Sequence, residues 1–217
     1  MRISKLIPKY SQIPLILLLG FNCVTYFGTR FFTQGMEHHN ISTPLDNALP
    51  LVPEFILFYL LAYVQWIVGY IVIARESREV CYEIFTAELL AKLACLVCFL
   101  VFPTTLDRPE ITGGGIFNYL TALIYSADAP DNLFPSIHCL ESWVCFRGAV
   151  YAKKMPGWYK WVMLFFSLGV FASTVLVKQH VIYDMFGAVA FVELGLFVTR
   201  RFGLSRLFGI IESRTRV

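Results

Sequence analysis

The apolar residues of this chain form six long runs separated by short polar segments. The runs cover residues 13–32, 51–74, 81–102, 134–152, 158–177 and 180–199. An α-helix needs about 20 apolar residues to cross the hydrocarbon core of a bilayer, and each run is close to that length. The first run is too long for a signal peptide and lacks a cleavage site, so we expect it to be retained. The pattern predicts an all-α, polytopic membrane protein with six transmembrane helices.

The composition agrees with this pattern. Hydrophobic residues make up 57% of the 217 residues and charged residues 15%, which excludes an ordinary soluble domain. No linker or low-complexity segment divides the chain, so we expect a single domain over residues 1–217. The expected partner is the membrane bilayer, and no nucleic acid partner is expected. The oligomeric state is not indicated by the sequence.

The basic residues are unevenly distributed between the two sides of the predicted bundle. Fourteen of the 18 Lys and Arg residues fall in the N-terminal segment, the loops after the second and fourth runs, and the C-terminal tail. Cytoplasmic segments of membrane proteins carry the excess of Lys and Arg. Both termini are therefore predicted to be cytoplasmic. The loops with few basic residues, 33–50, 103–133 and the turn around 178, are predicted on the other side.

A histidine and a carboxylate lie one helical turn apart at the start of the sixth run. His180 and Asp184 share one face of a helix, because residues four apart are neighbours there. Ionisable side chains at membrane depth are costly and usually functional. A carboxylate that fixes the tautomer of the ring can make the histidine a nucleophile.

A second histidine opens the fourth run in the same manner, as Pro135-Ser136-Ile137-His138. His138 is expected to act as a general acid or base beside the nucleophile. Phosphoryl transfer also needs positive charge and hydrogen-bond donors around the phosphate oxygens. Four residues near the two histidines are candidates for that role: Arg108, Lys178, Ser136 and Ser173. These groups require neither a metal ion nor another cofactor.

Other polar residues leave alternatives open. Glu141, one turn after His138, either tunes the pKa of that histidine or makes a hydrogen bond inside the bundle. Glu54 either faces the active cavity or lies at the interface. Lys92 is expected to snorkel or to pair with Glu88 at i,i+4. The pair His38-His39 makes a poor metal site, because adjacent residues on a loop hold a metal ion badly.

Together these motifs resemble a known family. The pattern R-P, then P-S-x-H, then S-x6-H-x3-D in a six-span protein is similar to the type 2 phosphatidic acid phosphatase superfamily, and the resemblance covers about residues 95–190. It implies that His180 forms a phosphohistidine, that Asp184 orients it, and that His138 protonates the leaving oxygen. It also implies phosphate contacts from Arg108, Ser136 and Ser173.

Three positions depart from the family pattern. The usual lysine seven positions before the R-P arginine is Val101, the usual arginine after the serine of the third motif is Thr174, and the glycine of P-S-G-H is Ile137. The sequence Lys178-Gln179-His180 resembles the branch that includes the inositol phosphosphingolipid synthases, and Lys178 restores one missing charge.

The resemblance implies a metal-independent lipid phosphate phosphatase acting at the non-cytoplasmic face of a cell membrane. Two alternatives remain open at this point. One is a phosphotransferase that passes a phospho-headgroup to a lipid alcohol through the same residues. The other is an inactive member that only binds lipid. The substrate lipid depends on the shape of the cavity, which the sequence does not give.

Overall fold

Helices make up most of the structure, and strands almost none of it. The computed structural model describes residues 7–215, so Arg2, Lys5 and Arg216, three of the basic residues counted above, lie outside the described residues. The helices are α1 (Lys9–Cys23), α2 (Thr29–Thr33), α3 (Pro44–Ala48), α4 (Ile56–Glu76), α5 (Arg78–Val101), α6 (Ile116–Ala127), α7 (Ile137–Tyr151), α8 (Tyr159–Leu176), α9 (Ile182–Phe202) and α10 (Arg206–Thr215). A π-helical turn, Val24–Gly28, joins α1 to α2, and a 3-10 turn, Pro53–Phe55, leads into α4. Two short strands, β1 (His39–Asn40) and β2 (Thr104–Thr105), pair in parallel.

Five helices in residues 7–215 are long and apolar enough to cross a membrane. They are Lys9–Thr33, Pro53–Glu76, Arg78–Val101, Tyr159–Leu176 and Ile182–Phe202. The predicted all-α membrane protein is confirmed at this level. The predicted run 134–152 forms α7, which has 15 residues. At 1.5 Å per residue α7 is about 22 Å long, shorter than a hydrocarbon core of about 30 Å.

The predicted loop 103–133 contains a helix that the six-run pattern did not indicate. Helix α6 has 12 residues, too few for a span, and follows a glycine segment in which Gly113 and Gly115 have φ values of 98° and 103°. Phe117, Leu120 and Ile124 on α6 pack against a cluster formed by Ile56, Tyr59 and Val177. Helix α6 therefore covers the end of the bundle where α4 begins and α8 ends.

Helix α5 is the centre of the bundle and packs against α1, α4, α7 and α9. Small residues allow close approach between helices in membranes. Gly195 on α9 is an example, because a Cβ atom added there would lie 2.4 Å from the carbonyl oxygen of Ala87 on α5. This close contact packs α9 directly against α5.

Polar contacts identify two ends of the bundle. At one end, the Val52 amide donates to the carbonyl of Leu176, and Ser136 N donates to the carbonyl of Asp184. At the other end, the Tyr10 hydroxyl donates to the carbonyl of Ala74. The candidate histidines and the three basic residues Arg30, Arg108 and Lys178 all lie at the first end, which we call the site end.

Candidate active site

The turn between α8 and α9 places His180 beside Asp184. His180 N donates to the carbonyl of Thr174 at 2.9 Å, which closes the turn after α8. His180 Nδ1 lies 3.0 Å from Asp184 Oδ2. The same carboxylate oxygen accepts from Val181 N at 3.0 Å and so caps α9. Because an ionised carboxylate only accepts, this contact favours the tautomer with its proton on Nδ1, which leaves a lone pair on Nε2.

His138 comes close to His180 although the two residues lie on different helices. Ser136 caps α7, since its Oγ accepts from Cys139 N at 3.3 Å, and its own N–H reaches the Asp184 carbonyl at 3.2 Å. This contact joins the starts of α7 and α9. The centroids of the two imidazole rings are 6.3 Å apart. The His138 ring stacks on Tyr59 at 4.3 Å, and its Nε2 is buried without a hydrogen-bond partner among residues 7–215.

His180 lines a cavity of about 390 Å³, which we call the polar cavity. Lys178 and Arg108 also line it. Lys178 has a φ of 52°, a conformation that is uncommon outside glycine. Its ammonium group donates to the carbonyls of Asp46 and Leu49, each at 2.7 Å. Burial lowers the pKa of Lys178 from its ordinary value, and nearby Asp46 partly opposes that change. An anion in the polar cavity would therefore favour the charged lysine.

Arg108 is held on two sides at the wall of the polar cavity. Its guanidinium donates to the carbonyl of Asp128 at 2.5 Å and to Gln179 Oε1 at 2.7 Å. Its charge also lies 4.8 Å from the centre of the Tyr125 ring. Burial lowers the pKa of Arg108 from its ordinary value, but a guanidinium remains charged at neutral pH. Arg108 Nε has no partner among the described residues, so one donor is left over.

His138 lines a second cavity of about 340 Å³, which we call the aromatic cavity. Its wall includes the rings of Tyr26, Tyr59, Tyr63 and Trp66. The Trp66 indole is fixed by a hydrogen bond of 3.0 Å to the Ser142 hydroxyl. None of the described residues lines both cavities. The two histidines are thus neighbours, but each faces a different cavity.

The two serines in the predicted phosphate site face elsewhere. Ser136 caps α7, as described above, and Ser173 Oγ donates to the carbonyl of Val170 at 2.7 Å. Both side chains are fully buried, and neither residue is part of either cavity wall. The structure therefore brings Arg108 and Lys178 to the cavity of His180, whereas each of the two serines makes a hydrogen bond to the backbone of its own helix.

The environment of the site includes residues that the sequence motifs did not identify. Asp46 accepts from Ile182 N at 2.8 Å and from Thr43 N at 2.8 Å, so it ties α3 to the start of α9. Gln179 is buried and binds Arg108. The spacing of Thr43 and Asp46 is that of a capping box, a signal that predicts the start of α3. No sequence signal links that short helix to α9.

The structure also gives the positions of the other charged residues considered in the sequence analysis. Lys92 Nζ lies 2.8 Å from Glu88 and 3.0 Å from Glu141, so Lys92 pairs with Glu88 as the i,i+4 spacing predicts. Glu141 takes part in this bundle-internal pair and also lines the aromatic cavity. Glu54 is exposed in the 3-10 turn and lines neither cavity. In residues 7–215 there is no group of three His, Cys, Asp or Glu side chains placed to bind a metal ion.

No protein-family model, no curated protein and no solved structure matches this chain. A functional assignment must therefore be argued from the geometry of the residues.

Proposed function

We propose that this chain is an integral membrane phosphatase that hydrolyses a lipid phosphate through a phosphohistidine. The observation that carries the proposal is the contact of 3.0 Å between His180 and Asp184. The His138 ring lies 6.3 Å from the His180 ring, and two cations, Arg108 and Lys178, lie on the wall of the polar cavity that His180 lines. Asp184 also caps α9, but its contact with Nδ1 orients the ring and stabilises the positive charge that forms when Nε2 attacks phosphorus.

The first step forms one bond and breaks another. His180 Nε2 bonds to phosphorus while the bond between phosphorus and the lipid oxygen breaks. The protonated His138 gives its proton to that oxygen, so a neutral lipid alcohol leaves. Arg108 and Lys178 neutralise the phosphate oxygens, since both line the cavity of His180. This positive field makes the reaction independent of a metal ion.

The second step returns both histidines to their first state. Water gives a proton to the now neutral His138, and its oxygen attacks the phosphorus of the phosphohistidine. The bond between phosphorus and His180 Nε2 breaks, and inorganic phosphate is released. The proton received by His138 is available for the next turnover, so the cycle needs no net proton supply.

The separation of the cavities supports a lipid substrate. The general acid, His138, must lie at the leaving oxygen. The leaving group therefore belongs in the aromatic cavity, which His138 lines. Phe27 and Tyr63 on that wall are 65% and 47% exposed on the outer surface of the bundle. The phosphate belongs on the His180 side, with Arg108 and Lys178. A molecule with a charged phosphate and an apolar alcohol fits this division.

The same division favours a second candidate, a phospho-headgroup transferase. After the first alcohol leaves, a second lipid alcohol can occupy the aromatic cavity and give its proton to His138 in place of water. The chemistry at His180 is unchanged in this case. Only the acceptor of the phospho-group distinguishes the two functions.

A substrate screen tests the proposal. We expect the purified protein, in excess chelator, to release phosphate from at least one of phosphatidic acid, phosphatidylglycerophosphate and an isoprenyl pyrophosphate, because His180 and the cations need no metal ion. His180→Ala is the control and should be inactive. Transfer of label to diacylglycerol or ceramide without phosphate release would favour the transferase. Lipid binding without either reaction would identify an inactive member and contradict the proposal.

The orientation is part of the same proposal. We propose six spans, with the shorter α7 as the fourth, both termini in the cytoplasm, and the site end on the non-cytoplasmic side. The charge distribution along the sequence supports this arrangement, because only Arg30, Arg108 and Lys178 fall on the side of the site.

Cysteine labelling checks this orientation. In a protein without native cysteines, Thr112→Cys should react with an impermeant reagent in intact cells, because it lies in the segment before α6. Glu79→Cys should react only after permeabilisation, because it lies at the opposite end of the bundle. Both positions are exposed, so access to the reagent depends on the side of the membrane. The reverse pattern would invert the proposed topology.

A further inference from the structure

Gln179 is the one side chain, among the described residues, that forms a hydrogen bond with Arg108. Its Oε1 accepts from Arg108 Nη2 at 2.7 Å, while the other hydrogen bond of the guanidinium goes to the backbone carbonyl of Asp128. Gln179 is 1% exposed and precedes His180 in the turn after α8. Because it lines neither cavity, Gln179 acts on a ligand of the polar cavity only through Arg108.

The contacts of Arg108 do not neutralise its charge. Both of its acceptors are neutral oxygens, and within residues 7–215 it forms no ion pair. Arg30, which lines neither cavity, pairs with the neighbouring carboxylates of Asp128 and Asp131, each at 2.7 Å. Asp128 thus gives its carboxylate to Arg30 and its backbone carbonyl to Arg108.

The two carboxylates on the wall of the polar cavity have partners of another kind. Asp46 accepts from the backbone amides of Thr43 and Ile182, each at 2.8 Å, and Asp107 accepts from the amide group of Asn40 at 3.1 Å. A carboxylate bound directly to the guanidinium would compete with an anionic ligand for the same donors. The described contacts leave the positive charge of Arg108 to a ligand of the polar cavity.

The amide at position 179 has an unfavourable feature that a carboxylate would lack. Gln179 Nε2 is buried without a hydrogen-bond partner among the described residues, and an unpaired buried donor costs free energy. A glutamate of nearly the same shape has no such donor and binds a guanidinium through charge-assisted hydrogen bonds. Anchoring of Arg108 alone would therefore favour glutamate. Anchoring without loss of the positive charge favours glutamine.

We propose that Gln179 is a positioning residue for the phosphate site. Its neutral amide oxygen holds the Arg108 guanidinium at the wall of the polar cavity and leaves the charge of that guanidinium to the anion. This inference rests on the proposed function in one respect, namely that the phosphate group occupies the polar cavity. It adds a residue that neither touches the substrate nor takes part in proton transfer.

Titration with inorganic phosphate tests the inference without turnover. The parent is the His180→Ala protein, and the quantity measured is the dissociation constant of phosphate. We expect Gln179→Glu to weaken binding by roughly 10- to 100-fold, the effect of losing a hydrogen bond between charged groups, because Arg108 then pairs with the new carboxylate. Gln179→Met removes the acceptor but adds no charge, so it should weaken binding by a smaller factor.

Two controls separate positioning from a general effect on the fold. Gln65 on α4 is also a buried glutamine, donates to the carbonyl of Met163 and to the hydroxyl of Ser167, and lines neither cavity. Gln65→Met should therefore lower the thermal stability of the protein and leave phosphate binding unchanged. In the Arg108→Ala protein, Gln179→Met should cause no further loss of binding, because no guanidinium is left to hold.

The outcomes distinguish this inference from the proposed function. Unchanged phosphate binding in both Gln179 variants, together with a loss in Arg108→Ala, overturns the inference and leaves the phosphate site intact. An additional loss from Gln179→Met in the Arg108→Ala protein also overturns it, because Gln179 would then act by another route. If phosphate binding follows the expected order but the wild-type protein hydrolyses no lipid phosphate, the inference stands and the proposed function fails. If the parent binds no phosphate, both fail.

Discussion

Replacement of His180 by alanine should lower phosphate release by about 10⁴-fold or more, because the variant has no nucleophile. His138 is not a substitute, since its ring lies in the other cavity and lacks an orienting carboxylate. The variant should keep its fold, because the helix cap at the start of α9 comes from Asp184 and not from His180. Substrate binding should also remain, since Arg108 and Lys178 are unchanged.

Trapping of the intermediate gives the direct measurement. Brief exposure of the wild-type protein to lipid with labelled phosphate should leave acid-labile, base-stable label on His180. Asp184→Asn is a control with a partial effect. The amide oxygen can still accept from Val181 N and from the His180 ring, but a neutral amide does not balance the positive charge that forms on that ring. Label should therefore form slowly in that variant. Equal labelling of wild type and His180→Ala would assign the nucleophile to another residue, with His138 as the first candidate.

The local part of the site was predictable from the sequence because helix geometry alone determines it. Residues four apart on a helix meet, so His180 and Asp184 required no knowledge of the fold. The structure places them 3.0 Å apart. The closeness of His138 was expected only from its similar depth and from the resemblance, because it depends on how α7 packs against α9. The contact of Ser136 N with the Asp184 carbonyl joins the starts of these two helices.

The surroundings of the site were less predictable. Gln179 and Asp46 contact the candidate phosphate-binding residues through hydrogen bonds that span 71 and 132 positions of the chain. Hydrogen bonds between residues so far apart in the chain produce no periodic pattern of polar and apolar positions in the sequence. The serine motif has two readings, because a serine at a helix start caps that helix as readily as it binds a phosphate. Ser136 does so through Cys139 N.

The membrane pattern identified the long helices and missed the helix that covers the site. Helix α6 has 12 residues, so a search for runs of about 20 apolar residues passes over it. Its residues Ile124 and Ala127 are part of the aromatic cavity wall. The part of the aromatic cavity wall that α6 supplies was therefore not predicted from hydropathy. Burial of one face of a short helix is a tertiary effect, decided by what lies beneath it.

His138→Ala should have a large effect whose size depends on the leaving group. General acid catalysis contributes roughly 10²- to 10⁴-fold, and the full loss is expected for an alkyl phosphate because an alkoxide leaves poorly without a proton. A nitrophenyl phosphate ester needs little proton donation, so the variant should recover much of its activity on that substrate. The measurement is kcat/KM for an alkyl and a nitrophenyl ester in wild type and variant.

Tyr63→Phe is the matched control for this prediction. Tyr63 lines the same cavity and its ring packs against His138 at 6.0 Å, but the substitution leaves the imidazole in place. It should therefore change the two kcat/KM values by similar factors. If His138→Ala also lowers both values equally, His138 does not protonate the leaving oxygen. Its role would then be to hold the aromatic cavity in shape, and the proton would have to come from another group.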